Sequence, residues 1–153
     1  MGTKYVFKCF KCNYQIDISL GVGFSFPRVY KEIVEKAKAG DFGDTMKEFL
    51  HTFPEGRIDV ENALYVCQEC GNMEVLPTLS LYLPKGKAPK GNSYVTHSTL
   101  EKEYVLFESY PHKCSNCQSI ASLIPRKEPV LSSGIKCPQC KVALELIEFG
   151  RWD

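Results

Sequence analysis

Apolar and polar residues alternate over several short stretches, and one region follows a longer period. After Tyr5, Val6 and Phe7, the residues Tyr14, Ile16, Ile18 and Leu20 alternate with Gln15, Asp17 and Ser19. A period of two puts one side of the chain against a core and predicts a half-buried strand. Gly21-Val22-Gly23 interrupts it. From Pro27 the spacing changes: Val29, Ile33, Val34 and Ala37 recur at helical intervals opposite Lys31, Glu35 and Lys38. Pro27 suits a first helical turn and Gly40 a helix end. A second, shorter helix is predicted over 42–52, capped by Asp41, with Met46, Phe49 and Leu50 on its apolar side. After a turn at Phe53-Pro54-Glu55-Gly56, a strand is predicted at 63–66. Another places Val75, Leu79, Leu81 and Leu83 on one face, with Pro77 marking a sheet edge.

Residues 84–93 are a run of Pro, Gly and Lys that reads as a linker or exposed loop. Beyond it, strands are predicted at 94–99 and 103–110, followed by an apolar segment at 120–124 and a turn at 125–129. Val142, Leu144 and Leu146 then alternate with Ala143 and Glu145. No helical pattern follows, so the second half reads as a β-ribbon. The organisation expected is therefore 1–83, carrying a helical pair at about 27–53, then the linker 84–93, then 94–153.

Composition changes this picture in one respect. With 44% hydrophobic and 24% charged residues the chain has the makings of a globular core. The outlier is cysteine: there are eight, and every one sits in a C-x-x-C pair. No apolar h-region precedes the first of them, no run approaches membrane-spanning length, and Val6 breaks a myristoylation pattern. A cytoplasmic protein without a membrane partner is expected. In a reducing compartment, paired cysteines serve as metal ligands more often than as disulfides.

The pairs are Cys9/Cys12, Cys67/Cys70, Cys114/Cys117 and Cys137/Cys140. Two intervening residues let a tight turn aim both sulfurs at one point, and two such turns complete a tetrahedron around Zn²⁺. All eight are expected to be metal ligands, in two four-cysteine sites holding two Zn²⁺, with iron the less favoured ion. The 19 residues between Cys117 and Cys137 suit a sequential pairing in the second half; the 54 between Cys12 and Cys67 do so only if the helical pair is an insertion. Sequential pairing is the expectation, and interleaved pairing across the linker is the alternative.

The segments Lys8-Cys9-Phe10-Lys11-Cys12-Asn13, Cys67-Gln68-Glu69-Cys70-Gly71 and Lys136-Cys137-Pro138-Gln139-Cys140 resemble the knuckles of the zinc-ribbon, or rubredoxin-like, superfamily. The whole chain resembles small bacterial proteins with two such ribbons. The resemblance implies a small α+β fold of two four-cysteine zinc ribbons, each a short antiparallel hairpin, the first carrying the helical pair. One departure concerns the residue after each second cysteine, where glycine is common because the position favours φ > 0. Gly71 fits and Asn13 is tolerable, whereas Gln118 and Lys141 weaken the match.

Charge and side-chain chemistry narrow the function. The formal charge of +1 counts every thiol as neutral; each four-thiolate zinc site contributes −2, which brings the whole to −3. Residues 84–153 carry ten basic and seven acidic residues, so a solvated face is favoured over a nucleic-acid site. His51, His97 and His112 lie beside no recognisable nucleophile; His112, two residues before Cys114, fits a supporting role better than a ligand's. Four thiolates leave a zinc ion no position for a catalytic water. Phe24 and Phe26 read as anchors for the helices or, less favoured, as a recognition patch. The function expected is a non-enzymatic adaptor or interaction module with a protein partner and structural zinc. The alternatives are a nucleic-acid-binding ribbon and a rubredoxin-like electron carrier.

Overall fold

The computed structural model describes residues 2–88, 93–126 and 134–153. In chain order the elements are β1 (Gly2–Lys8), β2 (Gln15–Leu20), α1 (Phe26–Ala39), α2 (Asp44–Thr52), β3 (Arg57–Ile58), β4 (Asn62–Cys67), β5 (Met73–Pro77), β6 (Leu81–Pro84), α3 (His97–Glu103), β7 (Tyr104–Glu108), β8 (Ala121–Leu123) and β9 (Glu145–Trp152). This is a small α+β protein with three short antiparallel sheets among the described residues. Two compact units share the chain. The first takes Met1–Gly23, Asn62–Leu76 and Pro111–Asp153; the second takes Phe24–Glu61 and Pro77–Tyr110. This division differs from the expected halves at 1–83 and 94–153. The chain leaves the first unit twice, and both excursions build the second. The expected linker 84–93 begins in β6, inside the second unit, and residues 89–92 lie outside the described residues.

In the first unit, the alternation read around residues 14–20 becomes β2, antiparallel to β1 with Tyr5 opposite Ile18 and Phe7 opposite Ile16. β9 pairs with the other side of β1, Tyr5 opposite Phe149 and Lys8 opposite Glu145, with a bulge between Val6 and Phe7. A second sheet has the order β5-β4-β8. Tyr5, Phe7, Ile18, Leu20, Leu64 and Leu144 meet in one core, which also contains Cys9 and Cys137. Each fully buried side chain of this size contributes about 1.5–3 kcal/mol. The end of β9 is held to the end of β2: Trp152 Nε1 donates to the Leu20 carbonyl at 3.0 Å. Its indole lies so close that a Cβ on Gly2 would sit 2.1 Å from Nε1, which explains a glycine inside a strand.

In the second unit, α1 buries Tyr30, Val34 and Ala37, and Gly40 ends it in the left-handed conformation at φ 92°. α2 buries Met46, Phe49 and Leu50. Both pack with Ile58, Val60, Leu79 and Leu81. The expected cap Asp41 is replaced by Gly43, because a turn across residues 40–43 delays α2 to Asp44. The long strand expected through Val75 and Leu83 is broken: Leu79 takes φ 56°, so β5 and β6 fall in different units. The strand expected at 94–99 is α3 instead, started by Thr96, whose hydroxyl accepts from the Thr99 N–H at 3.3 Å. Phe26 packs against Tyr94 with tilted rings 4.8 Å apart and so anchors α1, whereas Phe24 is exposed.

The start of α3 is tied down by two carboxylates, one buried and one half-buried. Asp59, fully buried, pairs with His97 Nδ1 at 2.7 Å and accepts from the Glu61 N–H. Glu61 accepts from the Tyr94 hydroxyl at 2.6 Å and from the His97 N–H at 2.9 Å. These charge-assisted bonds satisfy groups that would be costly to bury alone.

Candidate metal centres

All eight predicted ligands are in the first unit, on four turns of one design. In each turn the N–H of the residue after the second cysteine donates to the carbonyl of the first. The pairs are Asn13 to Cys9, Gly71 to Cys67, Gln118 to Cys114 and Lys141 to Cys137, at 2.8–2.9 Å. Each first cysteine in turn donates its N–H to a carbonyl five residues on: Tyr14, Asn72, Ser119 and Val142. The geometry requires a left-handed residue after the second cysteine, and all four positions comply: φ is 60° at Asn13, 76° at Gly71, 65° at Gln118 and 61° at Lys141. Gln118 and Lys141, which departed from the glycine pattern, adopt the same strained backbone. At Gly71 a Cβ would meet only the flexible end of Lys141, 3.0 Å from Nζ, so it is the left-handed backbone and not lack of space that suits glycine there.

The turns combine in a nested order, the first with the fourth and the second with the third, which is neither sequential nor interleaved. Cys9 and Cys12 face Cys137 and Cys140; Cys67 and Cys70 face Cys114 and Cys117; within each set the four sulfurs lie within 4.8 Å of one another. Sequential pairing is thereby corrected, and strand pairing supplies the reason. β1 ends in the first turn and pairs with β9, which follows the fourth, with Lys8 opposite Glu145. β4 ends at Cys67, directly opposite Ala121 of β8, which follows the third turn. The metal sets follow the long-range ladders, so one set is nested in sequence inside the other.

The sulfur spacing suits a shared ion. Sγ–Sγ distances are 3.2 Å for Cys9–Cys140, 3.5 Å for Cys12–Cys137 and 3.7 Å for Cys12–Cys140. In the second set they are 3.5 Å for Cys67–Cys117 and 3.6 Å for Cys70–Cys114. A disulfide needs about 2.05 Å, and all eight thiols are free. A tetrahedron with Zn–S bonds of about 2.3 Å has edges of about 3.8 Å, so a small relaxation admits an ion.

Electrostatics point the same way. At Cys9 burial raises the thiol pKa, but the Cys12 and Lys11 backbone N–H groups and the Cys140 thiol outweigh it and hold the value down to about 6. At Cys12 the Tyr14 N–H lowers the pKa, yet burial and the facing thiols of Cys137, Cys9 and Cys140 push it up to about 12. In the second set Cys67 is likewise pushed up, to about 11: the Cys70 N–H lowers it, but burial and Cys117 prevail. Asn116 lowers Cys70, the Cys117 N–H lowers Cys114, and Ser119 lowers Cys117. Four thiols at this spacing cannot all ionise against one another, and a divalent cation removes the conflict.

The two sets differ in their surroundings. Cys9 and Cys137 belong to the main core, with Cys12 and Cys140 packed against it. The other set is ringed by polar groups: Asn72 Nδ2 donates to Cys114 Sγ at 3.7 Å, Glu74 accepts from the Ser115 N–H, and Cys117 is exposed. His112 belongs to neither set; its ring lies against Tyr65 at 4.5 Å. Among the described residues no helix is long and apolar enough to cross a membrane. No protein-family model, curated protein or solved structure matches this chain.

Proposed function

We propose that this protein is a non-enzymatic interaction module of the zinc-ribbon type, in which two Zn²⁺ staple the first unit and the second unit is the part presented to a protein partner. The observation that carries the reading is the convergence of four identical cysteine turns into two four-sulfur sets within one unit. Four thiolates saturate a tetrahedral ion, so a structural role is favoured over water activation. The first unit is small and discontinuous, and a small core gains most from a metal staple.

Elemental analysis of protein purified without chelator tests this directly. Two equivalents of zinc per chain and a colourless solution are expected. Stoichiometric iron and a red, redox-active protein would overturn the zinc assignment in favour of electron transfer. Steeply salt-dependent binding of nucleic acid would replace the protein partner with a polyanion.

A further inference from the structure

The two metal sets have the same ligands and the same turn geometry and each buries two cysteines, yet one packs against the core and the other opens to solvent at Cys117. Cys9 and Cys137 are buried among apolar side chains such as Phe7, Ile18 and Leu144, with Cys12 and Cys140 half-buried against that core. In the second set Cys117 is exposed and Cys70 half-buried, and none of its four cysteines belongs to a core cluster of buried residues. Cys117 Sγ stands 3.5 Å from Cys67 Sγ, a distance that a small rotation closes to a disulfide.

We propose that Cys117 and Cys67 form a peroxide-sensitive modification site, whose oxidation ejects the metal of the second set while the first set keeps its own; the inference rests on the two-zinc reading above. In the first step the exposed Cys117 thiolate attacks one oxygen of a hydroperoxide. An S–O bond forms, the O–O bond breaks, and the leaving oxygen takes a proton as water or alcohol. Cys117 is then a sulfenic acid. In the second step the Cys67 thiolate attacks the Cys117 sulfur. An S–S bond forms, the S–O bond breaks, and hydroxide leaves as water after protonation. Two electrons pass from the pair of sulfurs to the peroxide. Cys70 and Cys114 alone no longer hold the ion, because two of its four ligands have been spent. Access decides which set reacts: Cys117 is exposed, whereas the most open thiols of the first set, Cys12 and Cys140, are half-buried.

The test uses zinc-loaded, full-length protein titrated with hydrogen peroxide beside a chromophoric zinc chelator. One zinc per chain should be released at least about tenfold faster than the second, and peptide mapping at that point should find a Cys67–Cys117 disulfide. Thiol reductant plus zinc should restore the starting content. Release of both ions at one rate, or a first disulfide that includes Cys9, Cys12, Cys137 or Cys140, would overturn the proposal while leaving the two-zinc reading intact. Fewer than two zinc ions before oxidation would overturn that reading and this one with it. Cys117→His supplies a variant that keeps a zinc ligand without the oxidisable thiol; it should retain two ions and lose the fast phase. Persistence of the fast phase in a doubly loaded Cys117→His protein would also overturn the assignment.

Discussion

The residue after each second cysteine carries much of what is specific to this chain. Four positions require φ near +60° to +76°, and only one of them is glycine. A non-glycine side chain in the left-handed region costs about 1 kcal/mol or more. Gln118→Gly should therefore stabilise the zinc-loaded protein, by about 0.5–1 kcal/mol once the greater freedom of glycine in the unfolded chain is counted. Gly71→Ala should destabilise it by about 1–3 kcal/mol, since it puts a Cβ on a left-handed backbone at φ 76°. Chemical denaturation of the two variants, run side by side with zinc in excess, should give shifts of opposite sign. Equal or reversed shifts would mean that the turn backbone relaxes out of the left-handed region. The need for a turn at each C-x-x-C was legible from spacing. That Gln118 and Lys141 would accept the strain was not, because the compensation comes from N–H···O bonds that the local sequence does not display.

At the scale of elements, β2, α1 and β4 lie close to their predicted positions, because each carries a periodic apolar face and end signals of its own. α3 was misread as a strand. Its seven residues hold one buried apolar side chain, Leu100, which is too few for a helical period to register. The signal that could have found it is Thr96 followed by a polar, helix-compatible run. α3 therefore depends on its ends, and Thr96→Ala should cost about 1 kcal/mol. Asp59→Ala should cost more, about 3 kcal/mol, by removing a fully buried partner of His97 and of the Glu61 N–H. Both losses belong to the second unit. Thermal denaturation should lower its transition while the zinc content stays at the wild-type level; loss of zinc in either variant would contradict the division into units.

For the whole molecule, the nested order makes the first unit depend on segments far apart in sequence. A fragment of residues 94–153, which sequential pairing would leave with one complete site, carries only half of each set and should bind no zinc tightly. The full chain with Cys137→Ser should lose the ion shared with Cys9, Cys12 and Cys140 and retain the one held by the other four. Because Cys137 also sits in the core, far-ultraviolet circular dichroism should report loss of the β1–β9 pairing in that variant. Removing both ions with a strong chelator should unfold the first unit, since structural zinc contributes on the order of 10 kcal/mol of apparent binding free energy. A fragment 94–153 that bound one equivalent tightly would restore the sequential model.

The sequence alone determined the chemistry: eight thiols in four turns, an α+β pattern, and two sets of four ligands, because these follow from residue type and spacings of only a few residues. Tertiary structure decided which turns face one another and which segments make up each unit. Those outcomes rest on pairing β1 with β9 and β4 with β8, contacts separated by more than fifty residues. A C-x-x-C turn is the same object whichever partner it meets. The choice between partners lies in the burial of whole strand faces, a property of the assembled sheets that no local window of the chain contains.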